Sequence, residues 1–310
     1  MAALQGVFPI LPTIFDAQGA VDETATQRVF EYLLAAGAAG VVFPGLASEY
    51  DMLDLEERLH LTACIGRWNN GRVPFIVGGS AKTLDDAVRL TRAGGEAGAA
   101  AAMVLTPHAL AGDNEGMAAF FARLGAESGV PIMLQNAPPP MGVGLGVDAL
   151  LALATQVPAI AYVKEETMPS GHRITALSER AGDAVQAVFG GAGARYVLDE
   201  LARGAVGTMP ACEITEVHVA MLAAHAAGDH ERARVLFERT LPLLSMQAVF
   251  RWRLTKAVLL RRGIIDCEHV RAPGPALDAW DRRELDTLLS RIADLLPLDV
   301  VPGRPQRTPA

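Results

Sequence analysis

The sequence predicts a (β/α)8 barrel, the TIM-barrel fold of the α/β class, followed by a C-terminal helical region. Three observations carry this prediction. Short apolar runs rich in β-branched residues recur eight times, about 25 residues apart. Amphipathic stretches fill the intervals, and such alternation is typical of βαβ units with a parallel sheet. After residue 215 the apolar runs cease and only helical patterns remain.

The eight predicted strands are almost continuously apolar, as expected of parallel strands that are covered on both faces. They span residues 7–15, 40–44, 73–78, 101–106, 132–136, 160–164, 184–189 and 204–209. A doubly wound sheet is the rival architecture, but its glycine fingerprint is missing after the first strand. Eight units in about 210 residues suit a barrel.

Capping residues mark where the helices between the strands begin. Asp22, Asp54, Thr83 and Asp113 each precede an amphipathic stretch, and these side chains can accept hydrogen bonds from the first turn of a helix. Gly129 follows the fourth stretch and is a typical helix stop.

The predicted organisation is a barrel that carries the active site at 1–215, a helical region at 216–300 and a flexible tail at 301–310. The C-terminal helices are predicted at 217–227, 231–244, 245–262 and 276–295, with breaks at 228–229, Pro242 and 272–275.

The composition excludes several classes of protein. Of 310 residues, 51% are hydrophobic and 20% charged, so the chain can bury a large core. The net charge of −8 argues against a nucleic acid partner. Three cysteines show no metal or disulfide spacing, and no segment resembles a membrane span or a signal peptide. We expect a cytoplasmic protein that acts on a small molecule without a metal or cofactor.

Lysine is rare in this chain, so its positions are informative. Of the 27 basic residues, only Lys82, Lys164 and Lys256 are lysines. Lys82 and Lys256 fall on predicted helices, whereas Lys164 ends the sixth strand. Because desolvation lowers the pKa of an amine, a lysine on a buried strand can form a Schiff base with a ketone, which arginine cannot do. The alternative is a solvated lysine paired with Glu165 or Glu166.

The acidic neighbours of Lys164 differ in direction. Side chains alternate across a strand, so Lys164 and Glu166 share a face while Glu165 points away. A carboxylate beside an iminium can move a proton at carbon 3 of the substrate. A simple ion pair is the alternative interpretation of Glu166.

Histidines and one aromatic cluster offer weaker candidates. His108 follows the fourth strand, where it is either an acid–base group or a surface residue. His218, His225 and His230 have spacings that do not converge, so we expect surface or packing positions. Trp252, between two arginines, indicates an amphipathic helix at an interface or a packed core position.

Several segments, in order along the chain, carry a family resemblance. They are GVFPILPTIF at 6–15, GLASE at 45–49, LTP at 105–107, PIMLQNAP at 131–138, YVKE at 162–165, the glycine pair at 190–191 and RGAVG at 203–207. Together they resemble the dihydrodipicolinate synthase / N-acetylneuraminate lyase superfamily of Schiff-base aldolases. The resemblance implies a (β/α)8 barrel, an imine between Lys164 and pyruvate or another 2-oxo acid, and a homotetramer built as a dimer of dimers.

Residue patterns and resemblance together give a candidate site. The predicted catalytic residues are Lys164, Glu166, Gln135 and His108, and the predicted substrate-binding residues are Ala47, Ser48, Glu49, Gly190 and Gly191.

The sequence departs from the family at its proton relay. Gln135 stands where the family has the strand-five tyrosine, and His108 and Ala109 replace the two tyrosines of its TPYY segment. The loop hydroxyls that help to bind a carboxylate fall on Leu46 and Ala47, although backbone N–H groups of this loop can still hold one.

We therefore expect a Schiff-base lyase for a 2-oxo acid, namely a 2-keto-3-deoxy sugar acid dehydratase or aldolase. Glu166 would be the base at carbon 3, and His108, Ser48 or water the acid. One alternative is 4-hydroxy-tetrahydrodipicolinate (dihydrodipicolinate) synthase with a relay that needs no tyrosine. Another is a non-catalytic 2-oxo acid binding or regulatory protein.

Overall fold

A computed structural model describes residues 4–297 and has the predicted (β/α)8 architecture. The strands are β1 (Gly6–Val7), β2 (Val41–Phe43), β3 (Phe75–Gly78), β4 (Ala101–Leu105), β5 (Ile132–Asn136), β6 (Ile160–Glu165), β7 (Ala187–Gly190) and β8 (Gly207–Thr208). All pair in parallel, in the order β1-β8-β7-β6-β5-β4-β3-β2. A parallel bridge between Ile10 and Val42 joins the first strand segment to β2 and closes the barrel.

The first and last strands are shorter than the sequence predicts. The predicted strand 7–15 is regular only at Gly6–Val7, and 204–209 only at Gly207–Thr208. Pro9, Pro12 and Pro210 explain the difference, since proline has no N–H to donate to a neighbouring strand. Single bridges continue the pairing beyond the regular parts.

Helices cover the outside of the barrel. They are α1 (Glu23–Ala35), α2 (Leu55–Asn69), α3 (Leu84–Glu96), α4 (Asn114–Ser128), α5 (Val147–Gln156), α6 (Ser170–Arg180), α7 (Val197–Ala202) and α8 (Thr215–Ala226). The four predicted caps are confirmed, because each of Asp22, Asp54, Thr83 and Asp113 accepts a backbone N–H of the first turn. Lys82 was predicted on a helix but lies in the bend just before α3.

The C-terminal helices are α9 (His230–Phe250), α10 (Trp252–Arg261) and α11 (Ala279–Arg291). The predicted break at Pro242 is wrong: α9 runs through this residue and accepts the loss of one backbone hydrogen bond. The chain instead turns at Arg251, whose φ is +50°. The predicted tail at 301–310 lies outside the described residues.

Three apolar clusters hold these layers together. Phe8, Met103, Met133, Phe189 and Met209 belong to the cluster that fills the barrel interior. A larger cluster packs the helices on the strands. A third joins α7 to the C-terminal helices. None of the described helices has the length and apolar character needed to cross a membrane.

The start of α8 coincides with the predicted division at residue 215. This helix packs against β1, so it completes the eighth β/α unit, and α9 packs in turn on α8. The end of α9 and the start of α10 lie near the barrel mouth, because Gln247, Arg251 and Trp252 line the same cavity as Lys164 at the end of β6. Barrel enzymes place their active sites at this end of the strands.

Candidate functional site

Lys164 is the buried cation of the barrel mouth. It lies near the carboxyl end of β6, in register with Gln135 on β5 and Phe189 on β7. Lys164 is only 1% exposed. The Nζ atom lies 3.3 Å from Oε1 of Glu166. Alternation along the strand produces this contact, because residues two apart project from the same face.

Glu166 is an ionised carboxylate with three donors around it. Its Oε1 faces Lys164 and accepts the backbone N–H of Ala192 at 3.1 Å, and its Oε2 accepts the Gln135 amide at 2.6 Å. Burial acts to raise the pKa of Glu166. The charge of Lys164 and the hydrogen bonds outweigh that effect and hold the pKa below its usual value. A buried carboxylate that stays charged beside an amine is suited to accept a proton.

Glu165 points to the other side of the strand, as the alternation predicts. Its Oε2 accepts the Asn136 amide at 2.9 Å, and its Oε1 accepts the Thr167 N–H and lies 3.2 Å from Nε of Arg173. Burial nevertheless raises the pKa of Glu165 above its usual value. These contacts fix the end of β6 from behind and leave Glu166 facing the mouth.

The glycine pair at the end of β7 leaves room for two carboxylates. A Cβ on Gly191 would lie 2.4 Å from Cγ of Glu166, and a Cβ on Gly190 would lie 1.9 Å from Oε2 of Glu200. Glu200 is buried, accepts a hydrogen bond from Ser170, and has a pKa that burial raises to about 7. Steric crowding therefore explains why glycine occupies both positions. Their predicted contact with substrate stays a prediction.

The loop after β2 places its three predicted residues differently. Ala47 lines the cavity that contains Lys164. The Ser48 hydroxyl donates to the Leu11 carbonyl and accepts the Gly45 N–H, so it is not free to act as an acid. The backbone N–H groups of Ser48 and Glu49 donate to carbonyls within the loop. Of the three residues, Ala47 is therefore the one placed to meet a ligand.

Glu49 does not face the cavity. Its Oε1 accepts Nζ of Lys256 at 2.6 Å, and its Oε2 accepts the backbone N–H of Ala272 at 2.8 Å. Lys256 also donates to the His269 carbonyl and lies 4.3 Å from the centre of the Phe15 ring. Burial lowers the pKa of Lys256 to about 8. The pair fastens the β2 loop to the C-terminal helices, and sequence spacing gave no sign of it.

The structure does not bring His108 to Lys164. Its ring Nε2 meets the Pro140 carbonyl at 2.7 Å, and it lines a separate cavity of about 330 Å³ together with Tyr50 and Arg58. Directly after β4 the chain forms a short 3-10 segment at His108–Leu110, and the His108 side chain lines this second cavity and not the one that contains Lys164.

Of the three histidines near the C-terminal helices, His218 is buried, His225 is partly buried and His230 is exposed. His218 is buried with no hydrogen-bond partner at either ring nitrogen within the described chain, and burial lowers its pKa to about 4. His225 and His230 do converge, contrary to their spacing, with ring centroids 5.3 Å apart. The turn at Gly228 brings the start of α9 back onto the end of α8.

The Lys164 cavity measures about 140 Å³ and has a rim that the sequence did not predict. Arg195 follows β7, and Gln247, Arg251 and Trp252 come from the end of α9 and the start of α10. Trp252, between two arginines, is the one signal in the sequence for this rim, although its pattern predicts an interface or a packed core position.

One group of possible metal ligands occurs in residues 4–297, outside the barrel mouth. Glu23, His60 and Cys64 each offer an atom within 4.8 Å of the others, between α1 and α2. Arg67 donates to the Cys64 sulfur at 3.0 Å, which places a positive charge against this group. None of these residues lines the Lys164 cavity.

Comparison with known proteins assigns the chain to a family. A profile of the Dihydrodipicolinate synthetase family matches residues 3–292. The chain belongs to this family. It is 29% identical to the L-2-keto-3-deoxyarabonate dehydratase of Azospirillum brasilense, over 94% of this chain and 96% of that one. It is 31% identical to the 4-hydroxy-tetrahydrodipicolinate synthase of Thermus thermophilus, over 90% and 93% of the two chains.

Solved structures agree with the family assignment. Dihydrodipicolinate synthase from Rhodopseudomonas palustris superimposes with a TM-score of 0.87 at 27% identity, over 93% of this chain and 97% of that one. This Dihydrodipicolinate synthetase family member is thus a lyase of the class I aldolase type, as its sequence predicts. Its β5 carries Gln135, hydrogen-bonded to Glu166, at the position described above as a departure from the strand-five tyrosine of the family.

Proposed function

We propose that the protein is a Schiff-base lyase that dehydrates a 2-keto-3-deoxy sugar acid. The observation that carries the proposal is the 3.3 Å contact between Nζ of Lys164 and the ionised carboxylate of Glu166 inside one small cavity. The similarity to a relative named L-2-keto-3-deoxyarabonate dehydratase supports the substrate class and the choice of dehydration.

Substrate binding begins at the β2 loop. The substrate carboxylate meets the backbone N–H of Ala47, because those of Ser48 and Glu49 are occupied within the loop. Glu166 takes a proton from the ammonium of Lys164, and the resulting amine attacks carbon 2 of the substrate. Glu166 returns the proton as the carbinolamine loses water, which leaves an iminium.

Proton transfer at carbon 3 follows. The Glu166 carboxylate removes a proton from carbon 3, and the electron pair of that C–H bond moves toward the iminium nitrogen to give an enamine. The enamine then expels the hydroxyl of carbon 4, which leaves as water with a proton supplied by Glu166 or by solvent. Hydrolysis of the conjugated imine releases the unsaturated 2-oxo acid and restores Lys164, so that the net change is the loss of one water.

The acid for the departing hydroxyl is therefore Glu166 itself or a water molecule. Ser48 has its hydroxyl proton committed to the Leu11 carbonyl, and His108 lies in the neighbouring cavity. A single carboxylate that takes the carbon 3 proton and returns it to the hydroxyl at carbon 4 balances the step without a further group.

Borohydride trapping tests the Schiff base. Incubation with pyruvate or a 2-keto-3-deoxy acid and sodium borohydride should add one ligand mass to the native chain, at Lys164. Lys164→Ala should give no adduct, and Lys82→Met, at an exposed lysine, serves as the lysine control. No adduct in the native chain, or an equal adduct in Lys164→Ala, would refute the mechanism.

The synthase reaction is the second candidate, because the Thermus thermophilus relative carries that name at 31% identity. A condensation assay with pyruvate and aspartate semialdehyde decides between the two. The Gln135 side chain has no phenol to relay a proton, so we expect dehydration of a keto-deoxy acid and negligible condensation. An adduct with no turnover of any sugar acid would instead favour a binding or regulatory protein.

Assembly as a homotetramer is part of the proposal, following the family resemblance. Light scattering coupled to gel filtration should give a mass four times that of the 32.7 kDa chain. A monomeric mass at micromolar concentration would contradict this assembly.

A further inference from the structure

The rim of the Lys164 cavity carries positive charge that the proposed chemistry does not use. Its ionisable lining side chains are Lys164, Glu166, Arg195 and Arg251. Lys164 and Glu166 neutralise each other at the base of the cavity. Within residues 4–297 neither arginine forms an ion pair with a carboxylate. With an ionised Glu166 and a protonated Lys164, the lining keeps a net charge of two positive units.

Arg195, Gln247 and Arg251 line the same cavity. A Cβ built on Gly193 would lie 3.1 Å from Nη1 of Arg195 and 3.4 Å from Oε1 of Gln247. The two side chains therefore approach each other above this glycine. Arg251 begins the next turn of chain, and its backbone N–H donates to the Gln247 carbonyl at 2.7 Å.

The rim side chains are held in place but not saturated. Arg251 is exposed, and its guanidinium carbon lies 5.6 Å from the centroid of the Trp252 ring. Arg195 is half-buried against the short turn Ala192–Ala194. A partly desolvated guanidinium without a carboxylate partner favours an anion, since its fork of N–H donors matches two oxygen atoms.

We propose that Arg195, Gln247 and Arg251 form a subsite for a second anionic group at the far end of the substrate. This inference rests on the proposed function, because Lys164 must hold the 2-oxo acid end. The substrate class narrows to 2-oxo acids that end in a carboxylate or a phosphate group, as opposed to a neutral hydroxymethyl group. A neutral end would leave the half-buried guanidinium of Arg195 without a counter-charge, and exposed Arg251 would add nothing to its binding.

A matched series of 2-oxo acids tests the subsite by borohydride trapping. Pyruvate has no distal group, 2-oxopentanoate has a neutral end, 2-oxoglutarate has the same length with a second carboxylate, and 2-oxo-4-phosphonobutanoate carries a phosphonate there. The readout is the concentration of each acid that gives half-maximal adduct. We expect 2-oxoglutarate or the phosphonate to need about tenfold less than 2-oxopentanoate, the effect of one charge-assisted hydrogen bond. The better of the two identifies the terminal group.

Variants assign the effect to the rim. Arg195→Met and Arg251→Met should each remove most of the preference for the doubly charged acid while leaving the trapping of pyruvate unchanged. Arg234→Met is the matched control, because Arg234 is an exposed arginine of α9, the helix that ends just before Arg251, and it stacks on Phe237 away from the cavity. It should keep the full preference.

The outcomes separate the two proposals. If pyruvate gives no adduct, the Schiff-base function fails, and the subsite fails with it. If pyruvate is trapped but 2-oxopentanoate, 2-oxoglutarate and the phosphonate react at equal concentrations, the subsite alone is refuted. The subsite is also refuted if Arg195→Met and Arg251→Met weaken the trapping of pyruvate as much as that of 2-oxoglutarate. The arginines would then support the whole site and would not act on the distal group.

Discussion

The ammonium of Lys256 donates to Oε1 of Glu49 across 2.6 Å, although 207 residues separate the two in sequence. Both side chains are fully buried. The contact ties the loop that follows β2 to a helix of the C-terminal region. Glu49 follows Ala47 by two residues, and its contact with Lys256 fixes the buried end of the loop. The conformation of the loop therefore depends on a distant part of the chain.

Loss of one partner of this pair should destabilise the fold. Lys256→Met leaves the Glu49 carboxylate buried without its cation, which costs about 3–5 kcal/mol of unfolding free energy. Denaturant titration measures the loss. Lys82→Met, at an exposed lysine, should change the unfolding free energy little. The double variant Glu49→Gln with Lys256→Met should recover part of the loss, and failure to recover any would contradict the pairing argument.

Gln135 should set the acid limb of the pH–rate profile. Its amide hydrogen bond is one of the interactions that keep the pKa of Glu166 low. Gln135→Leu removes that donor, so the pKa of Glu166 rises and the base is protonated at a higher pH. The acid limb of kcat against pH should therefore move upward. Gln135→Asn, which keeps an amide, is the control, and an unshifted limb in Gln135→Leu would argue against Glu166 as the base.

Glu166→Gln should separate imine formation from turnover. The amide cannot accept the carbon 3 proton, so kcat should fall by about 10²–10⁴-fold, the usual contribution of a general base. Borohydride with pyruvate should still label Lys164 after long incubation. Undiminished turnover in this variant would remove Glu166 from the mechanism.

Glu200 should make the fold less stable as pH rises toward neutrality. Burial raises its folded-state pKa to about 7, above the unfolded value of 4.5. The unfolded chain therefore ionises first, and stability declines between about pH 4.5 and 7, by up to about 3 kcal/mol from this group. Glu200→Gln should flatten that part of the curve of unfolding free energy against pH. An identical slope in the variant would show that Glu200 is not the cause.

His218 should act in the opposite direction. Burial lowers its folded-state pKa to about 4, below the usual 6.5, so protonation favours the unfolded chain. The stabilisation is complete above pH 6.5 and is lost as pH falls toward 4, by up to about 3 kcal/mol. In His218→Phe this loss should shrink. His225→Phe, at the neighbouring but partly exposed ring, should keep the native acid sensitivity.

The sequence allowed the barrel to be predicted because its signals are local. Apolar runs, caps such as Asp54, and the position of Lys164 at a strand end all act over a few residues, and the family motifs fixed their order. The alternation that separates Glu165 from Glu166 is likewise a property of one strand.

Contacts between distant segments could not be predicted in that way. Lys256 looks like an ordinary helical lysine until α10 packs beside the β2 loop, and His108 lost its predicted position through a turn of three residues. The rim formed by Arg195, Gln247 and Arg251 depends on where the C-terminal helices meet the barrel, which no local pattern encodes. Proline in a helix gave a false break at Pro242 for the same reason, since tertiary packing sustains α9.

The position of α9 and α10 beside the mouth has a consequence for the way such an enzyme can diversify. The groups proposed to break and form bonds come from β5 and β6, whereas most of the rim comes from helices that follow the barrel. Mutation can therefore alter which acid is accepted without touching the imine-forming lysine. Members of such a family can keep one reaction and change their substrate through a few substitutions near residues 247 and 251.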